Sequence, residues 1–305
     1  MTFINNLRQF FDKASEYYNN YDSVKRGMRK KRWEDIYGDN PYTLIELLRL
    51  IRYSNIQTKT LRAKCFGSVN PILFEIHPNN EISKALYVTR TYEPETILFL
   101  SKSLRKDDVF VDVGANIGVY SLFASKYVSQ VYSFEPSTRE YNRFISNLKL
   151  NPTIKNIEVH KLALGDSSAE VTLNVAKEYN GGHNTICSNF IWDVALGYQE
   201  KVQQVSLDMY LAKLTHNVSA IKIDVEGYEM EVLRGAQETL QAKPPRFIIF
   251  ECIERSPQKT EAICQFLKKF RYKIFYISQD GFLTKERLYK SGNLVARQEQ
   301  YKDLK

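Results

Sequence analysis

The chain has four cysteines in 305 residues, Cys65, Cys187, Cys252 and Cys264, and no two of them form a Cys-x-x-Cys pair. Its four histidines show no zinc-ligand spacing. These absences weigh against a disulfide framework or a structural zinc site, and they fit free buried thiols in a reducing cytoplasm. No apolar run is long enough to span a bilayer, and the first thirty residues mix Asn, Arg, Lys, Asp and Tyr without an apolar block of signal-peptide length. A soluble, cytoplasmic protein is therefore expected, in which the sequon match Asn217-Val218-Ser219 arises by chance. Internal repeats and low-complexity tracts are also missing. What remains is a chain long enough for one large α/β domain plus an extension.

The formal net charge is +8, but it is concentrated unevenly. Lys25-Arg26-Gly27-Met28-Arg29-Lys30-Lys31-Arg32 is the one dense basic run. It reads as a solvated helix face, as a contact for an anionic glycan, lipid headgroup or membrane surface, or as a nucleic-acid contact. Asn40-Pro41-Tyr42 reads as a helix start, with Asn40 as the cap and Leu44, Leu47, Leu48 and Ile51 following at helical spacing.

Residues 109–118 read Val-Phe-Val-Asp-Val-Gly-Ala-Asn-Ile-Gly, a buried strand that runs into a glycine turn and then a helix. Glycines at 114 and 118 would let the chain take positive φ and bring its N–H groups close to a ligand at the start of the next helix. The spacing is not the Gly-x-Gly-x-x-Gly of a dinucleotide site, and Asp112 beside the loop would repel phosphate. One strand later, Val131-Tyr132-Ser133-Phe134 ends in Glu135, placed to accept hydrogen bonds from ribose hydroxyls. A ligand with a ribose, no required phosphate and cationic groups suited to carboxylates points to S-adenosylmethionine.

Asp112-Val113-Gly114-Ala115-Asn116-Ile117-Gly118, Phe134-Glu135-Pro136, Ala163-Leu164-Gly165-Asp166 and Ile221-Lys222-Ile223-Asp224-Val225-Glu226-Gly227-Tyr228-Glu229 follow one another in the chain. Together they resemble the FkbM family of S-adenosylmethionine-dependent methyltransferases, over residues 85–255 and starting from Tyr92-Glu93-Pro94-Glu95. The resemblance implies a class I methyltransferase fold: a Rossmann-like, doubly wound, mostly parallel sheet spanning 61–305, preceded by a helical extension over 1–60. It also implies O-methylation of a hydroxyl on a sugar, glycan or natural product. The cofactor set it suggests is Glu95, Asp112, Gly114, Asn116, Gly118, Glu135, Pro136, Ala163, Leu164, Asp166 and Asp224, with Asp166 near the adenine amino group.

Periodicity predicts strands over 72–77 and 85–89, a helix over 94–103, and alternating strands and helices from 109 to 162. Between 166 and 218 the rhythm breaks. Val171, Leu173 and Val175, then Val202 and Val205, suggest an antiparallel pair flanking the loop Asn180-Gly181-Gly182-His183-Asn184-Thr185. The alternation resumes at 220–224, and further strands are expected at 247–250, 273–277 and 293–297.

Methyl transfer from a sulfonium needs alignment of oxygen, carbon and sulfur, plus removal of the hydroxyl proton. Asp224, at the carboxyl end of its strand, reads either as a crevice residue or as a cap for the next helix. Asp224 with Glu251 could hold Mg²⁺, as in metal-dependent catechol-type O-methyltransferases, but the favoured reading has no metal site. His183 is the candidate general base, with an exposed loop histidine as the alternative. The expected partner is a hydroxylated carbohydrate or natural-product acceptor. The rivals are a nucleic-acid methyltransferase, favoured by the basic run, and a non-catalytic cofactor-binding regulatory protein.

Overall fold

The computed structural model describes residue 49 and residues 61–66, 70–77, 80–178, 182–187, 196–214, 216–252, 256–286 and 292–301. The chain divides into two compact units, Met1–Gln57 and Thr58–Lys305. Apart from Arg49, which is helical, the helix expected over the first sixty residues lies outside the described residues, as does the basic run at 25–32.

The second unit opens with an antiparallel pair, β1 (Leu61–Cys65) and β2 (Ile72–Ile76), in which Ala63, Cys65, Ile72, Phe74 and Ile76 turn inward. Residues 81–89 then form helix α1 (Glu81–Thr89), which corrects the strand predicted at 85–89. Asn80 caps it by accepting the N–H of Ser83 at 2.9 Å, and Ile82 and Leu86, one helical turn apart, are buried. The alternation over 85–89 is therefore one edge of a helical stripe. Helix α2 (Pro94–Ser103) follows, with Pro94 in its first turn and Ile97, Phe99 and Leu100 buried.

Strands and helices then alternate: β3 (Val109–Val113), α3 (Val119–Ala124), β4 (Gln130–Phe134), α4 (Thr138–Leu150) and β5 (Ile157–His160). After β6 (Ala163–Gly165) come β7 (Ala169–Ala176) and β8 (Leu196–Ser206), the antiparallel pair read from the valine alternation; β6 joins them as a separate three-stranded sheet. The main sheet resumes with α5 (Leu207–Leu211), β9 (Ala220–Ile223), the short helices α6 (Glu229–Arg234) and α7 (Gln237–Ala242), β10 (Phe247–Cys252), α8 (Pro257–Lys269), β11 (Tyr272–Ile277), β12 (Leu283–Thr284) and β13 (Gly292–Gln298).

Its eight strands run β12-β11-β13-β10-β9-β3-β4-β5. The five from β10 to β5 are mutually parallel, and β13, β11 and β12 add antiparallel pairings. Every residue of β3 and β9 is buried, as expected of central strands covered on both faces. Chain order reverses direction at β3, with β4 on one side and β9 on the other. Open α/β sheets bind ligands in the crevice outside the strand carboxyl ends at such a point.

Candidate active site

Loop 114–118 leaves β3 at that crevice, and each of its five N–H groups has an acceptor within the protein. The N–H groups of Gly114 and Ala115 both donate to the carbonyl of Phe134 at 3.0 Å, and that of Gly118 to Ala115 at 2.9 Å. Ile117 N–H donates to the Asn116 side-chain oxygen and Asn116 N–H to Glu135 Oε2, each at 2.8 Å. The expectation that these N–H groups cradle a ligand is thus corrected: all five already donate within the protein. The positive φ expected at both glycines is present, and packing demands them as well. A Cβ at Gly114, whose φ is +80°, would lie 1.9 Å from the carbonyl oxygen of Asp224, and one at Gly118, φ +85°, would lie 2.3 Å from the Phe144 ring. A loop with no spare amide suits a cofactor that has no phosphate to bind.

Glu135 is held at the end of β4 by both carboxylate oxygens. Oε2 takes Asn116 N–H and Oε1 takes Ser137 N–H at 2.8 Å, which fixes the plane of the group and leaves each oxygen a further lone pair. Burial pushes its pKa up to about 8; the Ser137 and Asn116 N–H groups oppose the rise, and Glu140 and Asp112 add to it. Pro136 beside it is half-buried.

Asp112 sits beneath this loop rather than on its surface, 1% exposed, and accepts from Ser121 Oγ, which lies 2.7 Å from Ser133 Oγ. Ser133, Asp112 and Lys222 are register partners on β4, β3 and β9, so they form one polar row across three buried strands. Burial raises the Asp112 pKa to about 6 against the opposing pull of Lys222 and the Ser121 hydroxyl. Lys222 Nζ donates to Asp224 Oδ2 at 2.6 Å and stands 4.4 Å from the centre of the Tyr120 ring. Burial works against its charge, but Asp224, Glu93 and Asp112 outweigh it and its pKa is raised.

Asp224 directly follows β9 with its side chain 30% exposed, and its other oxygen has no hydrogen-bond partner among the described residues. Asp224, Glu226 and Glu251 each present a carboxylate oxygen within 4.8 Å of the others. Burial and then its acidic neighbours, Asp224 first, raise Glu251 to about 8; Glu226 is raised well above the ordinary range by burial, Glu251 and Asp224. Glu229 instead serves the turn, taking the N–H of Gly227 at 3.0 Å.

Of the other predicted site residues, Ala163 and Leu164 are buried in the core, and Asp166 is exposed at the end of β6, with Ser167 Oγ at 3.0 Å and close enough to Tyr228 to raise its pKa, after burial and Glu231. Asn116 takes φ +52° and closes the turn through its own side chain. In the Tyr92–Glu95 segment, Glu93 is the carboxylate bonded into the network, accepting from Tyr120 OH and from Asn293 Nδ2, whose residue pairs with Glu251 across β13 and β10. Glu95 lies half-buried in the first turn of α2. His183 is half-buried two residues before Thr185, whose hydroxyl donates to the Glu226 carbonyl at 2.8 Å; the tail of the loop is thereby tied to the crevice. Glu93, Tyr120, Lys222, Glu226 and Asn293 were not singled out from the sequence. Lys222 carried a signal, a charge between Ile221 and Ile223 in a strand that must be buried.

The model of the methyltransferase FkbM domain matches residues 112–274. The chain belongs to the FkbM methyltransferase family. It is 27% identical over 160 residues to the hexuronic acid methyltransferase AglP of Haloferax volcanii, a match covering 52% of this chain and 62% of that protein. It is 26% identical over 149 residues to methyltransferase 1 of Beauveria bassiana, covering 43% and 59%. The chain therefore spans about six-tenths of the length of these two relatives. A crystal structure of a methyltransferase FkbM from Methylobacillus flagellatus aligns with a TM-score of 0.46 and 17% identity, over 70% of this chain and 54% of that one. Among the described residues, no helix is long and apolar enough to cross a membrane.

Proposed function

We propose that the protein is an S-adenosylmethionine-dependent O-methyltransferase acting on a hydroxyl of a carbohydrate or similarly polyhydroxylated metabolite. The observation that carries the cofactor assignment is Glu135, a carboxylate fixed by two backbone N–H groups beside a loop with no amide to offer a phosphate. Glu135 would accept the ribose hydroxyls, and S-adenosylmethionine supplies a methyl carbon made electrophilic by its sulfonium. The chain's remaining task is to align the acceptor oxygen and take its proton.

Asp224 is the residue assigned to that task. One of its oxygens is held by Lys222 and the other is open at the end of β9. As the carbon–oxygen bond forms, the hydroxyl proton becomes strongly acidic, so a carboxylate of modest basicity suffices to accept it. Lys222 already holds one oxygen of Asp224, which takes that oxygen out of use as a metal ligand and supports metal-independent chemistry. His183 remains the alternative base. Hexuronic acid is named as the substrate of one relative, and this supports a sugar acceptor as a class.

The test is methyl transfer from labelled S-adenosylmethionine to a panel of glycosides, hexuronates and macrolide aglycones, with S-adenosylhomocysteine binding measured in parallel. Incorporation into a hydroxylated acceptor is the expected result. Binding without transfer to any of them would favour the regulatory reading, and transfer to RNA or DNA alone, lost at high salt, would favour the nucleic-acid one.

A further inference from the structure

We propose that Lys222 is a positioning residue for methyl transfer: its buried ammonium aims Asp224 at the acceptor and ties that carboxylate to the strand carrying the cofactor loop. The inference rests on the reading of Asp224 given above. Lys222 is 1% exposed in the middle of β9, where a charged side chain is costly unless its partners are arranged around it. They are arranged on three sides. Across the β3–β9 ladder it is the register partner of Asp112; ahead of it Nζ bonds Asp224 Oδ2 at 2.6 Å; and the Tyr120 ring lies 4.4 Å from Nζ.

Tyr120 in turn donates its hydroxyl to Glu93, and Asn293 brings the same carboxylate to the edge of Glu251. One cation thus stands between the acids of the cofactor half, Asp112 with Ser121 and Ser133, and those of the acceptor half, Asp224, Glu93 and Glu251. Asp224 is the first residue beyond its strand, with a rotatable side chain 30% exposed beside the carboxyl groups of Glu226 and Glu251. Lys222 is the hydrogen-bond partner of that side chain among the described residues, so without it the carboxylate would be released to solvent. With Lys222 one oxygen is pinned, and the direction of the other is set.

The test compares Lys222→Met, close in length and without charge, with Asp224→Asn and with the unaltered protein. Turnover is expressed per S-adenosylhomocysteine site counted by calorimetry, so that misfolded protein does not enter the rate. Lys222→Met should lower kcat by roughly a hundredfold, the scale of a misaligned reacting group, while cofactor affinity stays within about threefold. Should Lys222→Met fail to bind cofactor at all, Lys222→Met/Asp112→Asn, which also removes the acid left facing an empty position, is compared with Asp112→Asn alone and should show the same fall. Wild-type kcat in Lys222→Met with an inactive Asp224→Asn would overturn the inference and leave the Asp224 reading standing. Equal kcat in the double and single variants would also overturn it. An active Asp224→Asn would remove both.

Discussion

Replacing Glu135 by Gln keeps the length of the side chain but turns one of its two acceptors into a donor. In the protein both oxygens already face N–H groups, Asn116 on one side and Ser137 on the other, each at 2.8 Å. The amide of Glu135→Gln must therefore set donor against donor at one of them, and it offers a ribose one acceptor oxygen instead of two. Loss of a charge-assisted hydrogen bond is worth about 1.5–3 kcal/mol, so above about pH 8, where the carboxylate is ionised, S-adenosylhomocysteine should bind roughly 10- to 100-fold more weakly.

The dependence on pH is more diagnostic than the size of the loss. The Glu135 carboxyl titrates at about 8 in the ligand-free protein, and ribose hydroxyls select its ionised form. Binding near pH 7 must then expel a proton, at a cost of about 1.4 kcal/mol, which is about tenfold in affinity. Affinity should accordingly rise about tenfold per pH unit up to about pH 8 and level off above it. Calorimetry in buffers of different ionisation enthalpy should register net proton release on binding near pH 7. The ligand's own amine and Glu251 also titrate in this range, so the quantity to read is the difference between wild type and Glu135→Gln, in which the Glu135 contribution vanishes. An affinity that varies with pH identically in both proteins would refute the assignment of Glu135 to the ribose.

Glu135 and Glu251 both titrate at about 8 when folded, above their ordinary 4.5, so their stabilising contribution is complete below about pH 4.5 and lost as pH rises through about 8; Tm of the ligand-free protein should fall across that window, less steeply in Glu251→Gln, and a Tm that rises instead would contradict the burial of these groups. Gly114→Ala should destabilise by about 3 kcal/mol or more in denaturant melts, since its Cβ would meet a backbone carbonyl at 1.9 Å in a left-handed conformation; an unchanged midpoint would mean that the loop and the end of β9 are not in contact. EDTA should leave turnover intact, whereas chelator-sensitive activity restored by Mg²⁺ would assign Asp224, Glu226 and Glu251 to a metal. If His183 is the base instead of Asp224, His183→Ala should lower kcat by roughly 10²–10⁴ with cofactor affinity unchanged; a fully active variant removes it.

How far the site was legible depended on whether a residue acts through local pattern or through register. Glu135 was legible because an acid closing a buried strand after a glycine turn has few other uses, and β3, β4 and β9 announced themselves as short apolar runs. The glycines of loop 114–118 take the positive φ expected of them, but the packing that also demands them was not legible. Sequence shows that a Cβ is missing, not what would have filled its place, and here the neighbours are Asp224 and Phe144 from distant parts of the chain. Glu93 and Glu95 flank one proline and are indistinguishable in a pattern; only the approach of α3 and β13, through Tyr120 and Asn293, selects Glu93. Lys222 is the most instructive case. Its neighbours Ile221 and Ile223 marked the strand as buried, and a lysine within it is an exception that demands an anion. Finding that anion required the register that sets Lys222 beside Asp112, because parallel pairing of strands more than a hundred residues apart in the chain leaves no local trace. The acid pattern of the crevice follows from the same pairing: carboxyl groups gather where β9, β10 and β4 end together, and one lysine from the middle of a central strand holds Asp224 among them.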